Sequence, residues 1–241
     1  MIWLTVFLSS ILGGIVQAVT GFGCGVVMML FLPQVMSLIS GSAVVAASSL
    51  GLTGLLTWQY RKDLHWKMII FPTIIYLSVS VSILNIIGTL DLSVLKTAFG
   101  IFLLLLALYL LLLSSRAHLK ANTGTMIVCS AVSGAGSGLF AIGGPLMALY
   151  FLDLTKNRDE YIANLEAFFF FTAVVNTTTR VIKGIFTVEL LGYALAGLAG
   201  IVLGKQIGAK IAGKMNAALT RKVVYVAVGL SGLLILIQQL F

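Results

Sequence analysis

The sequence predicts an all-α, polytopic membrane protein built from two inverted repeats of about five helical elements each. Of the 241 residues, 60% are hydrophobic and only 9% are charged, whereas a soluble domain carries about 25% charged residues. The charges are clustered, and the apolar stretches between them are long enough to cross about 30 Å of hydrocarbon as helices. Two glycine-rich stretches lie at matching places in the two halves of the chain, which predicts the internal duplication.

Polar residues divide the chain into ten apolar elements, which we interpret as helices. We expect about eight of them to span the membrane and the glycine-rich ones to be broken or re-entrant. The elements cover residues 2–19, 21–38, 42–59, 68–88, 93–113, 123–137, 139–152, 161–181, 187–205 and 219–240. The N-terminal stretch lacks the positively charged region of a cleavable signal, so it counts as the first membrane segment. The predicted repeats are residues 1–120 and 121–241.

Basic residues are distributed unevenly between the two sides of this arrangement. The connections that fall on one side lie near residues 61–67, 114–122, 153–160 and 205–222. They carry twelve lysines and arginines, against three on the other side. Since basic loops stay in the cytoplasm, this bias predicts a multi-pass protein of the cell inner membrane with both termini outside. The same bias explains the net charge of +8, and no basic patch with interleaved aromatic residues indicates nucleic-acid binding.

An alignment of the two glycine-rich stretches supports the duplication. When residues 14–32 are written above residues 134–152, four of nineteen positions are identical, and Gly23 is paired with Gly143. Each stretch is followed by the same layout of long spans and connections. Because each half has an odd number of elements, the second half is inverted relative to the first, as in many secondary transporters.

The glycines indicate a binding site near the middle of the membrane. Residues 13–25 and 134–144 contain ten of the 25 glycines of the chain. Irregular backbone is tolerated at membrane depth only where protein or a water-filled cavity surrounds it. Helix N-termini that enter such a cavity favour an anion, because they offer free N–H groups and partial positive charge. The alternative is close helix packing through small residues.

The predicted substrate-binding residues come from both stretches. Glycine lets the backbone approach a ligand closely, and uncharged side chains can donate hydrogen bonds to oxyanion oxygens. For those side chains, hydrogen bonds between helices are the alternative role. The residues are Gln17, Thr20, Gly21, Gly23, Cys24, Gly25, Ser137, Gly138, Gly143 and Gly144.

A second group of candidates lies on one span and its ends. The predicted coupling or gating residues are Asn164, Glu166, Asn176 and Arg180. Ionisable groups at membrane depth are candidates for function by default. Glu166 is either a proton-coupling carboxylate or an interfacial carboxylate paired with Lys156 or Arg158. Arg180 either attracts anions to an outer vestibule or complements the dipole of its helix.

The glycine-rich stretches also carry a family resemblance. GFGCGVVMMLFLP (21–33) and AIGGPLMALYFL (141–152) resemble the paired motifs of the sulfite exporter TauE/SafE family of membrane transporters. The resemblance extends over nearly the whole chain in size, two-half layout and terminal spans. It implies transport of small sulfur-containing or carboxylated organic anions, such as sulfite, sulfoacetate or related sulfonates.

We therefore expect a secondary transporter that moves such an anion by alternating access, with the two halves rocking against each other. The alternative is an anion channel lined by the same broken helices. The expected partners are the small anionic substrate and the lipid bilayer. A proton or another ion that moves with or against the substrate is a further candidate partner, and so is a second copy of the chain in a homodimer.

Enzymatic, metal-dependent and ATP-driven functions are not indicated by the sequence. No cluster of catalytic residue types falls at membrane depth, so we expect no catalytic residues. His65 and His118 lie in basic loops, each without a second histidine nearby, so we expect no metal site and no cofactor. The stretch GIVLGKQ (200–206) departs from the phosphate-binding loop in spacing and in its last residue.

Overall fold

The computed structural model describes residues 1–20, 22–112, 122–211 and 217–240 of the chain. In these residues ten α-helices follow one another in the order of the ten predicted elements. Short 3₁₀ turns follow α2, α3 and α4. The helices are α1 Ile2–Thr20, α2 Cys24–Phe31, α3 Leu38–Gln59, α4 Trp66–Ile86, α5 Leu92–Leu112, α6 Thr123–Phe140, α7 Gly144–Leu154, α8 Arg158–Ile182, α9 Val188–Ile211 and α10 Ala217–Leu240. The predicted all-α class is confirmed.

Five of the described helices are long and apolar enough to cross a membrane. They are α3, α4, α5, α6 and α9, and the apolar parts of α1, α2, α7 and α10 are shorter. Large apolar side chains such as Leu105 on α5 and Leu195 on α9 are more than half exposed, as lipid-facing residues are. The fold is that of a polytopic membrane protein, while the figure of about eight full spans stays a prediction.

Several helices begin at a polar residue that caps the free N–H groups of the first turn. The hydroxyl of Ser37 accepts a hydrogen bond from the backbone N–H of Ser40 at 3.0 Å before α3. Asn157 accepts one from the backbone N–H of Glu160 at 2.9 Å before α8. Such caps are worth about 1 kcal/mol each, and they fix where these helices start. The two short helices α2 and α7 begin instead at glycines without a side-chain cap.

Helices α1 and α9 pack in parallel through a row of glycines on α9. A Cβ atom at Gly200 would lie 2.8 Å from the Phe7 carbonyl oxygen, and one at Gly204 would lie 2.8 Å from the Ile11 carbonyl carbon. Any larger residue would force the two backbones apart. Small residues at this spacing let membrane helices approach closely and gain van der Waals contact.

Helices α4 and α6 form the corresponding parallel pair. A Cβ atom at Gly134 would lie 3.2 Å from the Tyr76 Cα atom, and one at Gly138 would lie 2.9 Å from the Ser80 carbonyl oxygen. In both pairs a helix of one half is therefore joined to a helix of the other half. The packing alternative for the glycines is confirmed at these positions.

The helix pairs are related by an exchange of the two halves. Replacing α1 by α6, α2 by α7 and so on turns the α1–α9 pair into α6–α4 and the α3–α9 pair into α8–α4, all of which pack together. The same exchange leaves the α3–α8 and α5–α10 pairs unchanged. This correspondence supports the division at residues 1–120 and 121–241, which stays a prediction.

The α1–α9 packing gives a test of the fold. Gly204→Ala should lower the stability of the purified protein by about 1–3 kcal/mol, because the new methyl group would meet the backbone of α1 and not a movable side chain. Thermal unfolding in detergent measures the loss. The matched control is Gly88→Ala, since a Cβ atom at Gly88 has no atom within 4 Å. Equal melting temperatures for the two variants would contradict the close approach of α1 and α9.

Candidate functional site

The chain breaks its helical path at two places, between α1 and α2 and between α6 and α7. Gly23 caps α2 with φ +102°, in the left-handed region that glycine adopts most readily. Gly143 caps α7, and Ala141 ends α6 with φ 55°. The glycines paired by the sequence alignment are therefore the residues that start the two short helices.

Both breaks line one cavity of about 100 Å³, which we call the central cavity. Residues from α1, α2, α3, α4, α6, α7 and α8 surround it. No acidic or basic side chain is among its described lining residues. They are Gln17, Phe22, Gly23, Cys24, Gly25, Val26, Val45, Ala46, Ser49, Thr53, Tyr76, Ser137, Ala141, Ile142, Gly143, Gly144, Pro145, Phe169, Thr172, Ala173 and Asn176.

The N-termini of α2 and α7 meet at the central cavity. The first N–H groups of any helix have no partner within the helix, and they sit at the positive end of the helix dipole. At α2 these groups belong to the residues that follow Gly23, and at α7 to those that follow Gly143. Two such ends at one cavity make an environment suited to a negatively charged ligand.

Two neighbouring glycines at the start of α7 have different reasons to be glycine. A Cβ atom at Gly143 would collide with the Tyr76 hydroxyl and would lie 2.8 Å from the Ser133 carbonyl oxygen. A Cβ atom at Gly144 would have only ordinary van der Waals contacts, with the Phe169 Cζ atom at 3.6 Å and the Phe22 Cβ atom at 3.8 Å. Gly143 is thus required by packing, whereas Gly144 leaves free space in the cavity.

A buried polar network closes one end of the central cavity. The Asn176 side chain accepts a hydrogen bond from the Ser80 hydroxyl at 2.8 Å and donates one to the Ser137 hydroxyl at 3.1 Å. Beyond it, Arg180 Nη2 donates to the carbonyls of Ser137 at 3.0 Å and Gly138 at 3.3 Å. These hydrogen bonds tie α8 to α4 and to the end of α6.

The Arg180 guanidinium is completely buried. Its side chain is 0% exposed, and Nε and Nη1 have no hydrogen-bond partner among the described residues. In this structure the guanidinium is therefore not exposed to a vestibule, and attraction of anions by Arg180 stays a prediction. The expected dipole role is modified, since Arg180 binds C-terminal carbonyls of α6 and not of its own helix.

At the opposite end of the cavity, Gln17 and Glu166 separate it from a second space. Gln17 Nε2 donates to Glu166 Oε1 at 3.4 Å. Glu166 is 4% exposed, and its Oε2 atom has no partner in the described part of the chain. The ion pair of Glu166 with Lys156 or Arg158, one of the two alternatives from the sequence, does not occur among the described residues, because the carboxyl group faces Gln17 of α1.

The second space is a cavity of about 450 Å³, which we call the vestibule. It lies at the end of the helices that carries the basic connection after α3. Gln17 lines both the vestibule and the central cavity. The other lining residues are Ala18, Leu52, Leu56, Gln59, Tyr60, Arg158, Tyr161, Ile162, Leu165, Glu166, Lys205 and Ala209.

Most of the candidate residues from the sequence are brought together. Gln17, Gly23, Cys24, Gly25, Ser137, Gly143, Gly144 and Asn176 all line the central cavity. Gly138 instead packs against α4, where its Cβ atom would lie 3.0 Å from the Ile83 Cβ. Gly21 and the side chain of Thr20 lie outside the described residues. That these residues bind a ligand stays a prediction.

Asn164 lies away from the cavity. Its Oδ1 atom accepts a hydrogen bond from the His65 backbone N–H at 2.9 Å, and Nδ2 donates to the Glu160 carbonyl at 2.7 Å. Glu160 in turn lies 3.4 Å from His65 Nε2. Asn164 thus fastens the connection between α3 and α4 to the start of α8, which is a structural role.

Sequence reasoning missed Tyr76 and Thr172 as cavity residues. Tyr76 lies in the middle of α4, and its ring packs edge-on against Phe168 with the ring centroids 5.1 Å apart. A buried tyrosine hydroxyl usually needs a polar partner, and this is the signal that could have identified it. Its place at the cavity depends on the α4–α6 pairing, which no sequence pattern reveals.

Comparison with known proteins adds one match. A family model described as "Sulfite exporter TauE/SafE" matches residues 6–235, nearly the whole chain. No curated protein and no solved structure matches the chain.

The network around Asn176 gives a test of the site. Asn176→Leu should lower stability by about 1–3 kcal/mol, because it leaves the Ser80 and Ser137 hydroxyls without their amide partner. Thr179→Val is the control on the same helix, since among the described residues the Thr179 hydroxyl bonds only to the Val175 carbonyl of its own helix. Thermal unfolding of both variants measures the difference. If Asn176→Leu and Thr179→Val have the same melting temperature, the network does not hold α8 in place.

Proposed function

Because the chain belongs to the sulfite exporter TauE/SafE family, a family of membrane transporters for sulfur-containing anions, we propose that it is a secondary transporter that carries one small sulfur oxyanion or sulfonate. Sulfite, sulfoacetate and related sulfonates are the proposed substrates. Transport takes place by alternating access at the central cavity. An enzymatic role does not follow from membership of a transporter family.

The observation that carries this proposal is the meeting of two helix N-termini at one uncharged cavity. Neutral donors such as Gln17 and Ser137 line the cavity together with the first turns of α2 and α7. Hydrogen bonds from neutral groups to a charged ligand are worth about 1.5–3 kcal/mol each. They also leave the anion free to depart, since no fixed cation in the cavity lining holds it.

The volume of the cavity supports a small substrate. A cavity needs a volume of about 10–15 Å³ to hold one water molecule. The central cavity, at about 100 Å³, therefore holds several waters or one compact anion. Sulfite and short sulfonates are of this size class, whereas long-chain sulfonates would need the cavity to enlarge.

The surroundings of the cavity support a carrier with one open side. Arg158 and Lys205 line the vestibule and attract anions towards it. Among the described residues, Gln17 lines both the vestibule and the cavity, and its contact with Glu166 lies between them. The other end is closed by Asn176 and the buried Arg180. With the basic connections in the cytoplasm, the vestibule opens inwards and both termini face outwards.

Helix packing supports a division into moving bodies that differs from the two sequence halves. One body consists of α1, α2, α3 and α9, and the other of α4, α6, α7 and α8. The two glycine-packed pairs, α1–α9 and α4–α6, each lie within one body, and α3–α8 is the main contact between the bodies. Rocking of one sequence half against the other would separate the glycine contacts of α1 with α9 and of α4 with α6. Movement of the two mixed bodies needs change mainly at the α3–α8 contact, beside the cavity.

A second candidate is an anion channel lined by the same helices. A channel conducts while it is open to both sides of the membrane at once, whereas a carrier opens to one side at a time. The buried end at Arg180 favours the carrier. Counterflow of labelled anion in proteoliposomes distinguishes the two, since only a carrier exchanges bound anions across the membrane against their gradient.

The space beside Gly144 gives the sharpest test of the proposed site. Gly144→Ala should leave the melting temperature unchanged, since its methyl group fits, but should weaken binding of the preferred anion about 10- to 100-fold by filling the cavity. Calorimetry with sulfite, sulfoacetate and thiosulfate measures this. Gly88→Ala should bind as the wild type does. Unaltered affinity in Gly144→Ala would remove the central cavity as the binding site.

Crosslinks test the proposed moving bodies in a background without Cys24 and Cys129. A short thiol crosslinker between Gly54→Cys and Phe170→Cys joins α3 to α8 and should stop transport. The matched pair, Trp3→Cys with Gly192→Cys, joins α1 to α9 within one body and should allow it. Each pair places a glycine against an aromatic ring. A Cβ atom at Gly54 would lie 3.0 Å from the Phe170 ring, and one at Gly192 would lie 2.6 Å from the Trp3 ring. The opposite pattern of inhibition would contradict this division.

A further inference from the structure

We infer that Glu166 is a proton-binding site, and that its proton and the anion in the central cavity are transported together. The inference rests on the proposed transport function and adds its coupling partner. It follows from the position of Glu166, from the partners of its two oxygens, and from the side chain that it shares with the cavity.

Glu166 differs from every other acidic residue by its depth. The chain has seven acidic residues. Six of them lie in connections or in the first or last turn of a helix: Asp63, Asp91, Asp153, Asp159, Glu160 and Glu189. Glu166 alone lies about two turns inside its helix, α8. Intramembrane carboxyl groups are typical of proton relays in transporters.

The partners of Glu166 fit a carboxylic acid better than a carboxylate. A buried charge is stabilised only by ion pairs or several hydrogen bonds. Glu166 receives one hydrogen bond, from Gln17 at 3.4 Å, and its Oε2 atom has no partner among the described residues. No lysine or arginine in the described part of the chain lies within the 4.0 Å of an ion pair with it. A proton on Oε2 removes the uncompensated charge.

The vestibule supplies a path for that proton. Glu166 lines this cavity, so water there can deliver a proton to the carboxylate and take it back. The titratable or charged groups that face Glu166 are the Cys24 thiol of α2 and Lys205 of α9. The other titratable or charged groups that line the vestibule are Tyr60, which directly follows α3, and Arg158 and Tyr161 of α8.

Gln17 connects the proton site to the anion site. Its side chain lines the central cavity and donates to Glu166 Oε1. An anion bound at Gln17 therefore lies one side chain away from the carboxyl group. A charged Glu166 repels that anion and a protonated one does not. Proton binding thus strengthens anion binding, and by linkage anion binding strengthens proton binding. Net flux follows the combined gradient of the two.

Binding at different pH values tests this coupling. The probe is whichever of thiosulfate, sulfate and methanesulfonate binds most tightly, because all three stay fully ionised from mildly acidic to mildly alkaline pH. For the wild type, the Kd should fall by about 5- to 150-fold as the pH is lowered, at no more than about tenfold per pH unit. Glu166→Gln, which mimics the protonated acid, should bind without pH dependence. Asp159→Asn, an exposed change on the same helix, should keep the wild-type profile.

Flux measurements separate this inference from the proposed function. In wild-type proteoliposomes, an imposed gradient of the same anion should move protons in the same direction, as reported by an enclosed pH-sensitive dye. Saturable anion flux without proton movement, or wild-type binding that ignores pH, overturns the inference and leaves the transporter intact. A pH dependence that persists in Glu166→Gln also overturns it. Absence of both binding and flux for all three anions overturns the proposed function and this inference with it.

Discussion

Unpaired backbone groups at membrane depth are the constraint on which the rest of this fold depends. In hydrocarbon each unpaired N–H or C=O group costs several kcal/mol, so a broken helix is stable only where protein or water surrounds it. Here the break before α2 and the break before α7 face one cavity. The helix before each break also packs against a long helix of the other half, α1 against α9 and α6 against α4. The N–H groups that would destabilise a lone break thereby become the proposed donors to an anion.

The two halves contribute equally to this scaffold but not to its electrostatics. The polar groups that helix α3 brings to the cavity are the hydroxyls of Ser49 and Thr53, beside Val45 and Ala46. Its counterpart α8 runs past the whole site, with Glu166 on the vestibule side, Asn176 at the cavity and Arg180 beyond it. The two halves of the chain thus provide matching breaks, and the second half supplies the charged groups around them.

Hydrophobic pattern and glycine placement predicted all ten helices and paired Gly23 with Gly143, because both signals are local in sequence. They placed the starts of α2 and α7 too early, at residues 21 and 139, since an apolar run does not reveal where the backbone stops being helical. Hydrophobic pattern and glycine placement do not predict which helices, distant in sequence, pack against each other. Tyr76 reaches the cavity only because glycines bring α4 against α6, and Asn164 binds the connection before α4 although it shares a span with Glu166 and Asn176.

The most direct test of the central claim is an experimental structure of the protein in lipid nanodiscs with a bound sulfonate or thiosulfate. We expect its density in the central cavity, with oxygens within hydrogen-bonding distance of the first N–H groups of both α2 and α7. Density only in the vestibule, beside Arg158 and Lys205, would contradict the claim that the two helix breaks form the anion site.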